Sequence, residues 1–177
     1  MKTITEIILV VLKYLALVAA IGFSIECGSQ VLSLVASSVN VDWAKNVYGA
    51  EQDWFRIREY NTWYYICVMS LTISISALKA WIWYLIFDLL LKLQLKSPFS
   101  MVVTKKLEKI AYRLMGVWFL ISIVVKNYSH YLMKATGIQL PTNHSGDEYF
   151  FIAGIVYIIS QIFKRGIEMQ KENQLTV

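Results

Sequence analysis

Four apolar runs, Ile7 to Ile25, Trp63 to Leu91, Ile110 to Val125 and Tyr149 to Phe163, alternate with polar stretches along the chain. A membrane-spanning helix needs about 20 predominantly apolar residues, and the runs fit that demand unevenly. The second, about 29 residues and so about 43 Å as a helix, spans with tilt and passes the interface. The fourth is short, and flanking residues or local bilayer thinning must complete it. The first follows Lys2 as a signal peptide would, but Glu6 and its length favour a retained span. In the second, Ser70, Thr72, Ser74 and Ser76 alternate, yet a lone strand in lipid leaves its backbone unsatisfied. On a helix Thr72, Ser76, Lys79 and Trp83 form one stripe, expected to face the bundle. The pattern therefore predicts one all-α domain over 1–177, an integral membrane four-helix bundle with spans near 7–27, 63–91, 110–128 and 149–165. A short amphipathic cytoplasmic helix is expected between spans two and three.

The polar stretches differ in character. Residues 24–65 interleave acids and bases with Trp43, Trp54, Trp63, Tyr48, Tyr60, Tyr64 and Tyr65. Such aromatics favour the headgroup level, and part of this loop is expected as a short surface helix facing a ligand. Residues 92–113 carry the densest positive run: Lys92, Lys96, Lys105, Lys106, Lys109 and Arg113. Ser97 can cap a helix beginning at Pro98, and from Phe99 to Arg113 an apolar face (Val102, Val103, Leu107, Ile110) opposes the lysines. A loop is expected over 127–148, and a polar tail after Arg165.

Composition narrows the class. Of 177 residues 57% are hydrophobic and 16% charged, against about 25% charged in soluble domains. The net charge of +5 marks lysines flanking spans rather than direct nucleic-acid binding, since no RNP or zinc-finger pattern accompanies it. Lys2, Lys92, Lys96, Lys105, Lys106, Lys109, Lys164, Arg165 and Lys171 fall on one side of the spans, and only Lys45, Arg56, Arg58 and Lys134 on the other. The positive-inside rule then puts both termini in the cytoplasm of a multi-pass protein.

Charges within the spans are costly and need partners. Lys13 can snorkel to the inner headgroups, whereas Lys79 leans into the bilayer and calls for a polar partner or a phosphate. Asp88 and Lys92 are spaced to pair. Glu26 leans toward lipid and is expected neutral, buried, or paired with a cation such as Lys126. Lys13, Lys79, Asp88 and Arg113 form a candidate intramembrane polar site, its cations a basic pocket for a lipid phosphate or other anion; ordinary snorkelling and interhelical hydrogen bonding is the bland reading. Cys27 and Cys67 lack a CxxC motif and read as small packed residues, with a disulfide left open. His130 and His144 make no metal motif, and no HExxH, GxSxG or P-loop occurs. Nothing combines nucleophile, base and stabiliser, so neither an enzyme nor a cofactor is expected.

Two stretches go beyond class. Ser97-Pro98-Phe99-Ser100 followed by Lys106, Leu107, Ile110 and Gly116, and the tail Phe163, Arg165-Gly166, Glu172-Asn173-Gln174-Leu175-Thr176-Val177, resemble the central and closing motifs of a bacterial family of small four-span proteins, domain of unknown function 2975. Gln174 departs from the acid usual there. The resemblance implies an inner-membrane protein of unassigned activity. Its members often lie beside a gene for a small helix-turn-helix regulator, which implies a cytoplasmic transcription regulator as partner. Lys96, Pro98, Phe99, Lys105, Lys106, Lys109, Arg165, Glu172 and Leu175 are then the candidate partner- or lipid-binding cytoplasmic face, with Glu168 or Glu172 meeting the lysines; a purely structural cap and tail clasp is the rival reading. The leading expectation is a regulatory or sensory protein in contact with membrane lipid. The alternative is a small transporter or immunity-type protein binding a hydrophobic or lipid ligand between its spans; homo-oligomerisation is left open.

Overall fold

The computed structural model describes residues 4–39, 52–93, 100–140 and 146–175, and these are helical apart from caps and short connections. Helix α1 covers Ile4–Val39, well past the expected end near residue 27. The polar residues there do not break it, because their side chains bond locally: Ser24 Oγ donates to Ala20 O (2.7 Å), Ser29 Oγ to Glu26 O (2.8 Å) and Ser38 Oγ to Leu34 O (2.7 Å). Helix α2, Gln52–Tyr60, is the short helix expected in the aromatic stretch, and Trp54 and Ile57 are its buried face. Asn61 sets it off from α3, Thr62–Lys92: its extended backbone ends one helix, and its side chain accepts from Trp63 N (2.8 Å) to start the next.

Over its described residues the lysine-rich segment after Ser100 is part of a longer helix. Helix α4, Met101–Trp118, is capped by Ser100, whose Oγ accepts from Val103 N (3.3 Å); Ser97, Lys96, Pro98 and Phe99 lie outside the described residues. The helix continues through a π-helical segment, Phe119–Val125, into α5, Lys126–Thr136. The expected loop from Asn127 therefore begins only at Gly137, whose φ of 71° is the left-handed conformation that closes a helix and favours glycine. Helix α5 persists because Leu132, fully buried, anchors it. Helix α6, Asp147–Leu175, likewise carries the expected polar tail as helix.

Packing joins two antiparallel pairs. Helix α1 runs along α3 and α4 along α6, with α3 against α4 as the seam between them. Residue contacts give a consistent register. In the first pair Ser37 Oγ meets Tyr65 Oη (2.7 Å), Ser76 meets Glu26 and Lys79 meets Phe23. In the second, Glu108 is opposite Gln161, Tyr112 opposite Tyr157 and Trp118 opposite Phe150. Ala16 and Ala20, buried on α1, let the first two backbones approach closely. An outer core gathers Trp54, Ile57, Tyr65, Val68, Met69, Leu132 and Leu140. An inner core gathers Ile82, Ile110, Leu114, Val117, Ile121 and Ala153.

Among the described residues three helices are long and apolar enough to cross a membrane: Ile4–Val39, Thr62–Lys92 and Asp147–Asn173. The chain is accordingly a membrane protein. The third apolar run, Ile110 to Val125, lies inside the continuous Met101–Thr136 helix.

At one end of the seam Asp88 of α3 takes an ion pair from Lys106 of α4 and a second from Lys92 (3.3 Å). Lys106, expected on an exposed lysine face, is instead 9% exposed, while Val102, expected on the apolar face, is exposed. Burial pushes the Lys106 ammonium below the ordinary lysine range, and Lys109's charge adds to that shift; the Asp88 carboxylate at contact opposes it. Removing one partner of a buried pair costs several kcal/mol, less here because the Asp88 side chain keeps 25% exposure. Lys106→Ala is expected to lower stability by about 2–3 kcal/mol in thermal unfolding in detergent, and the exchange Asp88→Lys with Lys106→Asp to recover part of it. Unchanged melting of Lys106→Ala would show the pair to be dispensable.

Candidate functional site

Between the outer and inner cores the two pairs part around an open cavity of about 610 Å³. Its position follows from the π-helical segment. There the Lys126 N–H bonds to Ile121 O, five residues back, which widens the turn, and Ile121 and Ser122 of the segment line the cavity. Helix α3 contributes Thr72, Ser76 and Lys79 to the wall, the first three members of the predicted stripe; the fourth, Trp83, is not part of it. Ser122 of the π segment faces them, with Lys126 and His130 following on α5. Glu26 of α1 and Asp147 of α6 complete the charged lining.

The lining has a floor and a mouth. Ser76 is buried and Lys79 half-buried, while Glu26, Lys126, His130 and Asp147 are exposed. Glu26 Oε1 accepts from Ser76 Oγ (3.1 Å) and Gln30 Nε2 (3.3 Å). This differs from the expected pairing with Lys126, which lines the same cavity without an ion pair among the described residues. The Lys79 ammonium lies between two rings, Phe23 of α1 (5.7 Å) and Tyr149 of α6 (6.0 Å). Cation–π contact contributes about 0.5–2 kcal/mol, but no described carboxylate lies within ion-pair distance. Ser122 Oγ is shielded from solvent and has no hydrogen-bond partner among the described residues. The site can therefore donate from Lys79, Lys126 and Ser122 and accept on Glu26 and Asp147.

The predicted intramembrane residues are not drawn into one basic pocket. Lys13 stacks over Tyr14 (5.2 Å), Arg113 over Trp81 (4.9 Å), and Asp88 joins Lys106 and Lys92. Only Lys79 lines the cavity. Of the cytoplasmic set, Lys105 and Lys109 are exposed, Lys106 is buried, and Arg165 is exposed beside buried Gly166. The α4–α6 register brings Glu168 level with the start of α4. His144, Thr176 and Val177 lie outside the described residues. Both cysteines are free thiols, and Cys27 Sγ contacts Ile73 O at 3.8 Å.

A family model described as a protein of unknown function (DUF2975) matches residues 49–177. The chain belongs to that family. No curated protein and no solved structure matches it. In this DUF2975 protein the matched region holds the cavity residues from α3 onward, whereas Glu26 lies outside it. Sequence reasoning singled out Lys79 and Glu26 as charges needing explanation. It also offered Lys126 as a partner for Glu26, but it did not find Ser122, His130 and Asp147 as co-lining residues, since a span interior and a supposed loop carry no signal that a continuous helix unites them.

Gly146 closes the cavity's outer wall, and a Cβ there would stand 2.5 Å from Ser122 Oγ and 3.0 Å from Ile121 Cβ. Gly146→Ala is therefore expected to push the start of α6 away from the π segment. A cost of about 1–3 kcal/mol is expected in thermal unfolding, as for other overpacked sites. The double variant with Ser122→Gly should recover only part, because Ile121 still obstructs; a fully wild-type Gly146→Ala would refute the close approach.

Proposed function

We propose that this protein is a non-enzymatic, four-span inner-membrane regulator. In this reading it binds a small ligand between its two helix pairs and passes its occupancy to the cytoplasmic face. The observation that carries the reading is the polar cavity walled by both pairs and reaching Lys79. Polar side chains in a membrane interior are costly, and without a ligand they favour close packing against one another. A π-helical interruption beside them is a common mark of functional sites. The third span is the middle of the Met101–Thr136 helix, and the lysine bias puts both termini and the Asp88–Lys106 pair on the cytoplasmic side.

Coupling follows from the seam. Helix α3 and the π segment that continues α4 wall the cavity, and nearer the cytoplasm α3 and α4 are joined by Asp88 and Lys106. A ligand that spreads the pairs moves the exposed Lys105 and Lys109 with α4, and a small helix shift of this kind is a usual switching step. The partner that fits is the helix-turn-helix regulator suggested by the family motifs. A transporter would use the same cavity but needs it to open to both sides, whereas the inner core closes it toward the cytoplasm.

For the topology, single cysteines in a Cys27→Ser/Cys67→Ser background should react with an impermeant reagent in whole cells at position 61 and not at 105; the opposite pattern reverses the orientation. For the function, the protein in membranes should retain the purified regulator. Lys105→Glu with Lys109→Glu should reduce retention at least tenfold, and Ser122→Trp, which fills the cavity, should change it as well. If Ser122→Trp binds the regulator like wild type, the cavity does not communicate with the cytoplasmic face. Ligand-driven flux into vesicles without any regulator binding would favour the transporter.

A further inference from the structure

We infer that the cavity recognises a small zwitterion, an ammonium joined to a carboxylate or phosphate; this rests on the reading of the cavity as a ligand site. The lining sets the basic Lys79 and Lys126 against the acidic Glu26 and Asp147, two groups of each sign, yet none of the four forms an ion pair among the described residues. Opposite charges that do not meet inside one cavity leave each with an unsatisfied field. A single-sign ligand gains from two of them and is repelled by the other two. A dipolar ligand satisfies both sets, and the electrostatic match selects it over either half alone.

The local geometry gives each end of the ligand a place. Glu26 is held by Ser76 and Gln30 through Oε1, which leaves Oε2 for an ammonium. One helical turn inward on α3 from Ser76, the Lys79 ammonium projects from the floor between the Phe23 and Tyr149 rings. The rings shield it on two sides but supply no counter-charge, so an acid oxygen is the missing partner. Ser122 Oγ, otherwise unpartnered, is a second donor at the same floor. Glu26 and Lys79 are adjacent through Ser76, and the two charges of the ligand must be correspondingly close. That fits an amino acid or an ethanolamine phosphate group and excludes a long diamine or dicarboxylate. The cavity volume of about 610 Å³ admits either a free solute or the headgroup of an aminophospholipid.

The test is calorimetric titration of the full-length protein in nanodiscs with glycine, ethanolamine phosphate, inorganic phosphate, acetate and ethylammonium. At least one zwitterion should bind, and each single-charge probe at least tenfold more weakly. Glu26→Gln alters an exposed side chain and keeps its shape; it should weaken the zwitterion at least tenfold, as should Lys79→Met, while Lys79→Arg retains binding. Phosphatidylethanolamine nanodiscs that suppress ethanolamine phosphate binding, where phosphatidylglycerol nanodiscs do not, would identify the lipid headgroup as the source. Equal binding in both would identify the free solute. Phosphate or acetate binding as tightly as the zwitterions, or unchanged binding by Glu26→Gln, overturns the zwitterion and leaves a ligand cavity standing. Failure of every probe overturns both.

Discussion

The arrangement of this protein depends on how α3 meets α4, and one ion pair sets that meeting. Three lysines, Lys105, Lys106 and Lys109, come within a turn of one another on α4. Only Lys106 shares a face with Val103, Ile110, Leu114 and Val117, so burying that apolar stripe delivers Lys106, and not its neighbours, to the seam. Asp88 then receives it. A buried pair of this kind contributes little net stability compared with well-packed apolar residues, and its value lies in register. A slip of one turn would leave a buried ammonium without its acid, a far larger cost than the loss of a few methylene contacts. With that end fixed, Arg113 falls on Trp81, and beyond the π segment Tyr131 meets Tyr64.

The same register explains why a cavity forms at mid-height. Both ends of the seam are held, by Asp88–Lys106 at one and by the tyrosines and Leu132 at the other. The π segment, with its wider turn, lies between these two points; its Ile121 packs in the inner core while its Ser122 lines the cavity. The polar side chains of α3 at this level, Thr72, Ser76 and Lys79, thus line open space instead of packing into a neighbour. Each hydroxyl is still satisfied locally or by Glu26: Thr72 Oγ1 donates to Val68 O (3.0 Å) and Ser76 Oγ to the carboxylate. Lys79 has no comparable acceptor on its own helix, and this separates it from the serines as the residue whose chemistry the packing does not answer.

Much of the fold was legible in the chain because lipid imposes a strong rule: apolar runs of the right length, with backbone groups satisfied inside the helix. That rule found the helical cores, the stripe on α3 and the spacing of Asp88 with Lys92. It failed at ends. Residues 24–39 read as loop from their polarity, yet serine and glutamine persist in a helix when they bond back one turn and one face still meets α3. Residues 127–136 were missed for a related reason: their one deeply buried side chain, Leu132, is invisible to a hydropathy average. The candidate site was legible only in part. Glu26 and Lys79 stood out as unexplained charges, but their companions came from α5 and the start of α6, whose placement depends on a π turn with no composition signature.

The lysine run illustrates the same limit from the opposite side. Read as a one-dimensional charge pattern it is a uniform basic surface, suited to anionic lipid or a partner. Folding divides it by helical phase: Lys106 goes to the seam, while Lys105 and Lys109 stay exposed. The Asp88 ion pair and the exposed lysines thus belong to different faces of one helix, and the pair on one face orients the charges on the other. Any rearrangement of the cavity that loosens the α3–α4 seam must change the presentation of Lys105 and Lys109, because both are carried on the rigid turn that Asp88 holds. The physical link between the cavity and the exposed lysines is thus short: one helix, held at one acid.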